Sequence, residues 1–357
     1  MRTTRQVSCG KVKIGGDAPV SVQSMTNTDT RDVNATLAQI NALADAGADI
    51  VRCTVPDMQA AEALAVIKKS SPVPLVADIH FDYRLAIAAI DAGADKIRIN
   101  PGNIGSKERV KAVLDRAKSA GIPIRIGVNS GSLDKELIEK YGGVTAEAMC
   151  ESALNAAAYA QSFGFEDIVV SLKCSDVAMN HKAHKLFAEK SDLPLHIGLT
   201  EAGVGEDAKI KSVAALSALL LEGIGNTMRV SLTGDPVQEV ILARKILKAC
   251  GVRRAGIDLV SCPTCGRTQV DLESIASSVK EGLAPLSDRL EKEGRFLRVS
   301  VMGCVVNGPG EARSSDFGVA CGKGEGVLFK AGEVIRKVPE DQLVTGLLQL
   351  IKQSIAL

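Results

Sequence analysis

No tryptophan occurs in this 357-residue chain, and aromatic residues make up only 3% of it. That scarcity argues against a platform on which nucleic-acid bases stack. Net charge is nearly absent too, at +1, so nothing global points to nucleic acid or a membrane surface and any anion site has to be local. No run reaches the roughly 18 apolar residues that a membrane span needs. The opening residues Met1 to Gly10 lack the apolar stretch of a secretory leader. Histidine is sparse, with four residues and none after His196. A glycine-rich loop after the first strand, which an open dinucleotide-binding sheet would carry, is also missing. Cysteine, by contrast, occurs nine times. Without a leader, such thiols are expected in a reducing compartment, as ligands or small core residues rather than disulfides. The expectation is a soluble, cytoplasmic protein whose 46% hydrophobic content suffices for two cores.

What is present first is an alternation. Between Pro19 and Gly251, short β-branched runs are followed by longer Ala-rich stretches of helical period. The runs are Val20–Met25, Ile50–Val55, Leu75–His80, Lys96–Pro101, Ile124–Asn129, Ile168–Lys173, Leu195–Thr200 and Thr227–Leu232. Helical stretches include Asn34–Ala46, Met58–Lys69, Ser106–Ala120 and Ala146–Phe163, the last with Thr145 as N-cap. Ala-Gly-Ala-Asp at 46–49 and again at 92–95 reads as a helix-ending glycine followed by the next strand. Eight βα units match a closed (β/α)8 TIM barrel of about 250 residues. The barrel is assigned to 1–250, with Lys11–Gly16 expected to pair with Val20–Met25 and plug its floor. Residues 251–357 read as a smaller α+β domain. Its strands are expected at Ile257–Val260, Arg298–Met302, Phe317–Ala320 and Val327–Lys330, and its helices at Ser274–Leu283 and Glu340–Gln353. Gly318–Gly326 is rich in glycine but lacks a P-loop pattern.

Strands of a parallel barrel, buried on both faces, should be nearly pure Val, Ile and Leu. Here Arg52, Arg98, Arg125, Lys173 and Arg229 interrupt them. An unpaired buried charge costs several kcal/mol even after relaxation. One such residue would read as a structural ion pair, but five on different strands can converge on the mouth where barrel enzymes act. Asp78, Glu201 and Asp235 near the same level offset only part of that charge. Asn129 and Ser231 add uncharged donors. The remainder favours an anion with many oxygens, for which Arg is well shaped, and a diphosphorylated small molecule is the best candidate. Asp78 and His80, two apart on one strand, share a face and can work as an acid–base pair. Glu201 is a further candidate proton donor. His181 and His184 are expected to be solvated and His196 to belong to the core. Cys9, Cys53, Cys150, Cys174 and Cys250 are read as small apolar residues.

Cys262 and Cys265 form a Cys-x-x-Cys pair, and Cys304 precedes the turn Asn307-Gly-Pro-Gly310. Soft thiolates select zinc or an iron–sulfur cluster. A zinc site would normally bring a second Cys pair or two histidines, and neither is here. For a fourth ligand the residues offer Glu311, beyond that turn, or Cys321. A carboxylate on a soft cluster would be exchangeable. On the residues alone, zinc and iron–sulfur both stay open. A phosphosugar barrel enzyme with a structural zinc domain, using Lys173 as a Schiff-base nucleophile, is the alternative reading, and a simple electron carrier a second.

Taken together, Val22-Gln-Ser-Met-Thr-Asn27, Val76-Ala-Asp-Ile-His-Phe81, Ile99-Asn-Pro-Gly-Asn103, Arg125-Ile-Gly-Val-Asn129, Ser261-Cys-Pro-Thr-Cys-Gly-Arg267 and Asn307-Gly-Pro-Gly-Glu311 resemble the 4-hydroxy-3-methylbut-2-en-1-yl diphosphate synthase family of the methylerythritol phosphate route to isoprenoids, over essentially the whole chain. The resemblance implies a [4Fe–4S] cluster on Cys262, Cys265, Cys304 and Glu311. It implies that Arg52, Arg98, Arg125, Asn129, Lys173, Arg229 and Ser231 hold the substrate diphosphate, and that Asp78, His80 and Glu201 line the same pocket. The implied reaction is reductive ring opening of 2-C-methyl-D-erythritol 2,4-cyclodiphosphate, with flavodoxin or ferredoxin as electron donor. A head-to-tail homodimer is implied as well, the cluster domain of one subunit capping the barrel of the other, in the two-domain bacterial form.

Overall fold

The computed structural model describes residues 1–304, 310 and 313–355, without the side chains of 101, 102 and 132. The chain divides into two compact units, Met1–Arg253 and Arg254–Leu357.

The first unit begins with a hairpin, β1 (Gln6–Cys9) against β2 (Val12–Gly15), antiparallel with Cys9 opposite Val12. The floor hairpin is thus closed by the preceding residues and not by Val20–Met25, because Gly10 at φ +54 turns the chain back within two residues. Eight parallel strands follow: β3 (Ser21–Met25), β4 (Ile50–Thr54), β5 (Leu75–Asp78), β6 (Lys96–Ile99), β7 (Ile124–Asn129), β8 (Ile168–Lys173), β9 (His196–Gly198) and β10 (Thr227–Arg229). They pair in the ring order β8-β7-β6-β5-β4-β3-β10-β9, and a parallel bridge from Val170 to Leu195 closes it. The chain therefore folds as the expected barrel.

Local chemistry sets the element ends. Asp32, Asp57, Asp82, Thr145, Asp176 and Asp235 each cap a helix through a side-chain oxygen that accepts a backbone N–H. Gly47 and Gly93 adopt φ +99 and +91, where a Cβ would be strained. The aspartates that follow them each tie two strands together. The Asp49 N–H donates to Val22 O while its carboxylate accepts from Val22 N, and Asp95 does the same with Leu75.

Strand alternation then divides the apolar surface. Val51, Ala77, Ile97, Ile126, Val170 and Ile197 point outward and pack with the helices in one large core. Of the inward residues, Ile50, Val76 and Val169 pack on Val7, Cys9 and Ile14 of the hairpin and form an apolar floor. Above that floor the barrel interior is polar, where most barrels are filled with branched side chains.

In the second unit β11 (Gly256–Ser261), β12 (Phe296–Met302) and β13 (Phe317–Cys321) run parallel, and β14 (Glu325–Lys330) and β15 (Glu333–Pro339) continue the sheet antiparallel. Helices Leu272–Glu293 and Leu343–Ser354 cover one face, burying Leu272, Val279, Leu283, Leu347 and Ile351. Two features depart from the sequence expectation. The helix expected over 274–283 runs on through Pro285 to Glu293, because Leu286 and Leu290 continue its apolar stripe. Strand β15 was not foreseen; its first five residues are exposed, so it carries no apolar pattern. Its signal is the two-residue turn Ala331-Gly332, both with positive φ. The glycine-rich 318–326 stretch is the β13–β14 hairpin.

Candidate active site

The inward parity that places Ile50 and Val76 on the floor places Arg52 and Asp78 two residues higher, and the other strands follow suit. Arg52, Asp78, His80, Arg98, Arg125, Asn129, Lys173, Arg229 and Ser231 all line one cavity of about 170 Å³, together with Ser171 and Thr200. Five cations from five strands thus open into one space.

Asp78 is the hub. It is 2% exposed, and Arg98 Nη1, His80 Nε2 and Arg52 Nε lie 3.4, 3.7 and 3.8 Å from its carboxylate. Burial alone would push this carboxyl up, but Arg52, Arg98 and Arg125, with His80, outweigh it and hold the group below the usual carboxylate range. At neutral pH it is an anion that orients arginines, with no proton to donate. Arg52 also donates to Met25 Sδ through Nη2 at 2.7 Å and Nε at 3.1 Å.

Arg229 is held by a residue that sequence reasoning missed. Glu239 accepts from Arg229 Nε and Nη2, both at 3.2 Å, and from Leu232 N at 3.0 Å. It is 3% exposed. In sequence it reads as a first-turn helix acid, complementing the dipole; only the fold carries it to the strand end. Asp235, expected to offset the cations, instead caps its helix on Val237 N. Glu201 is exposed, one residue beyond Thr200 and outside the cavity lining, in the left-handed region at φ +56.

Lys173 and Arg125 are buried. Burial, reinforced by Arg125, Arg52, Arg229 and Arg98, drives the Lys173 ammonium well below the usual lysine range. Arg125 is lowered by burial and then by Arg52 and Arg98. One layer lower, Lys96 Nζ and both ring nitrogens of His196 are buried without a hydrogen-bond partner among the described residues. His196 therefore faces the interior, as expected of a core residue. His184 corrects the expectation of a solvated side chain. It is fully buried, its Nδ1 is 2.8 Å from Asn180 O, and burial lowers it to about 4, so it is neutral.

The cysteine motif lies in the second unit. Ser261 pairs with Val301, so Cys262 and Cys304 follow the C-terminal ends of adjacent parallel strands. Cys262 Sγ accepts the Gly303 N–H at 3.2 Å. Cys265 is exposed and its thiol is held below the usual range, chiefly by the Arg267 backbone N–H; Cys304 is near enough to push it the other way. Cys321 is buried at the end of β13, and burial raises its thiol to about 11, which makes it a poorer ligand than Cys265. Among the described residues no three side chains already stand in metal-binding geometry. Glu311 lies outside the described residues. All nine cysteines are thiols. No helix among the described residues is long and apolar enough to cross a membrane.

Comparison with known proteins places these features. The GcpE TIM-barrel domain matches residues 4–244, and the GcpE protein C-terminal domain matches residues 258–353. The 4-hydroxy-3-methylbut-2-en-1-yl diphosphate synthase (flavodoxin) of Geobacter sulfurreducens is 55% identical over 353 residues, covering 99% of this chain and 98% of that one. That of Ruminiclostridium cellulolyticum is 53% identical, with 98% and 97% covered. Among solved structures, dihydropteroate synthase from Xanthomonas albilineans in complex with 7,8-dihydropteroate matches 68% of this chain and 96% of its own, with a TM-score of 0.51 at 16% identity. That likeness speaks for the barrel fold alone. The reading as a phosphosugar enzyme gives way to the family, and the chain belongs to the GcpE family of 4-hydroxy-3-methylbut-2-en-1-yl diphosphate synthases.

Proposed function

We propose that this chain carries out the reductive ring opening of 2-C-methyl-D-erythritol 2,4-cyclodiphosphate to 4-hydroxy-3-methylbut-2-enyl diphosphate, consuming two electrons and two protons, breaking the ring C–O bond to phosphate and releasing a hydroxyl as water. The observation that carries the reading is the convergence of Arg52, Arg98, Arg125, Lys173 and Arg229 on one cavity. The cations bind the diphosphate, with Asn129 and Ser231 as neutral donors. Asp78 keeps Arg52 and Arg98 aimed, and Glu239 does the same for Arg229. His80, half-exposed at the mouth, faces the organic part of the substrate. Glu201 stands just beyond the cavity, where it can give a proton to the departing oxygen.

The donor set of the second unit suits a [4Fe–4S] cluster better than zinc. Two of three soft thiols, Cys262 and Cys304, follow neighbouring strand ends, one thiol takes an N–H and Cys265 is easily ionised, and no second Cys pair or histidine accompanies them. Cys262, Cys265 and Cys304 would hold it, with Glu311 as an exchangeable fourth ligand. When bound, the cluster supplies the electrons. We assign its reduction to flavodoxin, which the relatives' names cite, with ferredoxin as the alternative donor.

We place the enzyme in the cytoplasm. Because the cavity is lined by the barrel unit and the thiols belong to the other, we also propose a homodimer in which the cluster unit of one copy closes the barrel of another. Sedimentation showing an active monomer would count against that assembly.

The test is anaerobic iron, sulfide and zinc analysis with turnover of the cyclodiphosphate. About four irons per chain, reductant-dependent product, and loss of both in Cys304→Ser are expected. A colourless, zinc-bearing protein, or a fully active Cys304→Ser variant, would overturn the reading.

A further inference from the structure

Two residues of the barrel interior have no chemistry of their own. Gly127 on β7 and Gly198 on β9 share the inward parity of Asn129 and Thr200. Glycine inside a strand is destabilising by roughly 0.5–1 kcal/mol relative to alanine, so its presence calls for a reason. Backbone conformation is not that reason, since neither residue has a positive φ.

Space is the reason. A Cβ on Gly127 would stand 2.9 Å from Arg98 Nε and 3.0 Å from Nη2, closer than carbon and nitrogen approach without bonding. A Cβ on Gly198 would stand 2.6 Å from Lys173 Nζ and 2.9 Å from its Cε. The pattern repeats around the ring. Arg98 leaves β6 and lies over the glycine of β7, its hydrogen-bonded neighbour; Lys173 leaves β8 and lies over the glycine of β9, the strand it meets at the closing bridge. In each case the cationic head occupies the volume a side chain on the next strand would fill.

We infer that Gly127 and Gly198 are positioning residues for the anion cradle, setting where the Arg98 guanidinium and the Lys173 ammonium rest, and that Gly127 acts through Arg98 alone. This deepens the diphosphate reading of the cavity and rests on it. At Gly127 every close atom belongs to the flexible end of Arg98, so an added methyl group moves the guanidinium instead of unfolding the strand. Gly198 is tighter, because a Cβ there would also stand 2.9 Å from the backbone oxygen of Arg229. Gly127→Ala is therefore the cleaner variant.

The experiment titrates inorganic pyrophosphate calorimetrically into the full-length, anaerobically purified protein. Four forms are compared: wild type, Gly127→Ala, Arg98→Ala and the double variant. Gly127→Ala should bind at least about tenfold more weakly, the low end of a charge-assisted hydrogen bond's contribution, and raise KM with kcat little changed. In the Arg98→Ala background the same methyl group should cost nothing more. Wild-type affinity in Gly127→Ala, or an equal loss with Arg98 absent, would overturn the inference while leaving the diphosphate site standing. Failure of the wild type to bind pyrophosphate would overturn both. Unchanged circular dichroism and thermal midpoint separate misplacement from misfolding.

Discussion

Lys96 shows what a single buried cation does to this barrel. Burial lowers its ammonium from 10.5 to about 8, against an opposing pull from Cys9, with smaller pushes in the same direction as burial from Arg125 and Arg52. Because the folded value lies below the unfolded one, the unfolded chain binds the extra proton. The penalty is therefore fully present below about pH 8 and is relieved as pH rises toward 10.5. Lys96→Met should raise stability at pH 7 by at most about 3 kcal/mol, and the gain should shrink across that alkaline window; urea melts at several pH values measure it. Glu239 supports the opposite expectation. In Glu239→Gln one oxygen remains for Leu232 N, but the charge facing Arg229 is lost. KM should rise about tenfold, the order expected for a charge-assisted bond, with kcat nearly unchanged; steady-state kinetics decides. Arg52, Arg98, Arg125, Lys173 and Arg229 were legible in the sequence because a charge inside a β-branched run breaks its pattern. Glu239 and His184 were not, since a helix residue's neighbours depend on which face the helix lays down.

Elements repeat the lesson. The eight barrel strands could be read from periodicity, and their observed ends differ by no more than a few residues, as hydrogen bonding stops where the strands diverge. The floor hairpin was misassigned by one partner, because a two-residue turn at Gly10 competes with a longer connection and local closure is favoured. Its function as a plug rests on Ile14, fully buried against Ile50 and Val76. Ile14→Ala should cost about 2–4 kcal/mol of stability while leaving KM alone, because the floor lies below the cation layer. Chemical denaturation alongside kinetics tests both halves. Helix Leu272–Glu293 outran its sequence estimate because burial of Leu286 and Leu290 outweighs what Pro285 takes away. β15 escaped notice for the reverse reason, having little apolar surface to bury.

For the whole molecule, a formal charge of +1 conceals a concentrated field. The five cations of the cavity are answered by Asp78 and Glu239, the two buried carboxylates among the described residues. Lys173 is lowered by burial first and by its cationic neighbours next. A bound anion opposes both causes in part and raises the ammonium again, so binding should take up protons. Calorimetric titration in two buffers of different ionisation enthalpy should show net uptake at pH values below the ordinary lysine range, with a KM that rises as pH rises through that window. Absence of any buffer dependence across that range would mean Lys173 stays protonated without ligand.

By itself the sequence determined the barrel, the cations in its strands and the cysteine set, because periodicity, misplaced charge and ligand spacing are local properties of a chain. Tertiary structure alone decided which acids answer those cations, that Asp78 arrives ionised, that His184 is buried and that Gly127 and Gly198 make room for Arg98 and Lys173. Each of these depends on distances between strands and helices far apart in sequence, and electrostatic and steric energies follow distance through space.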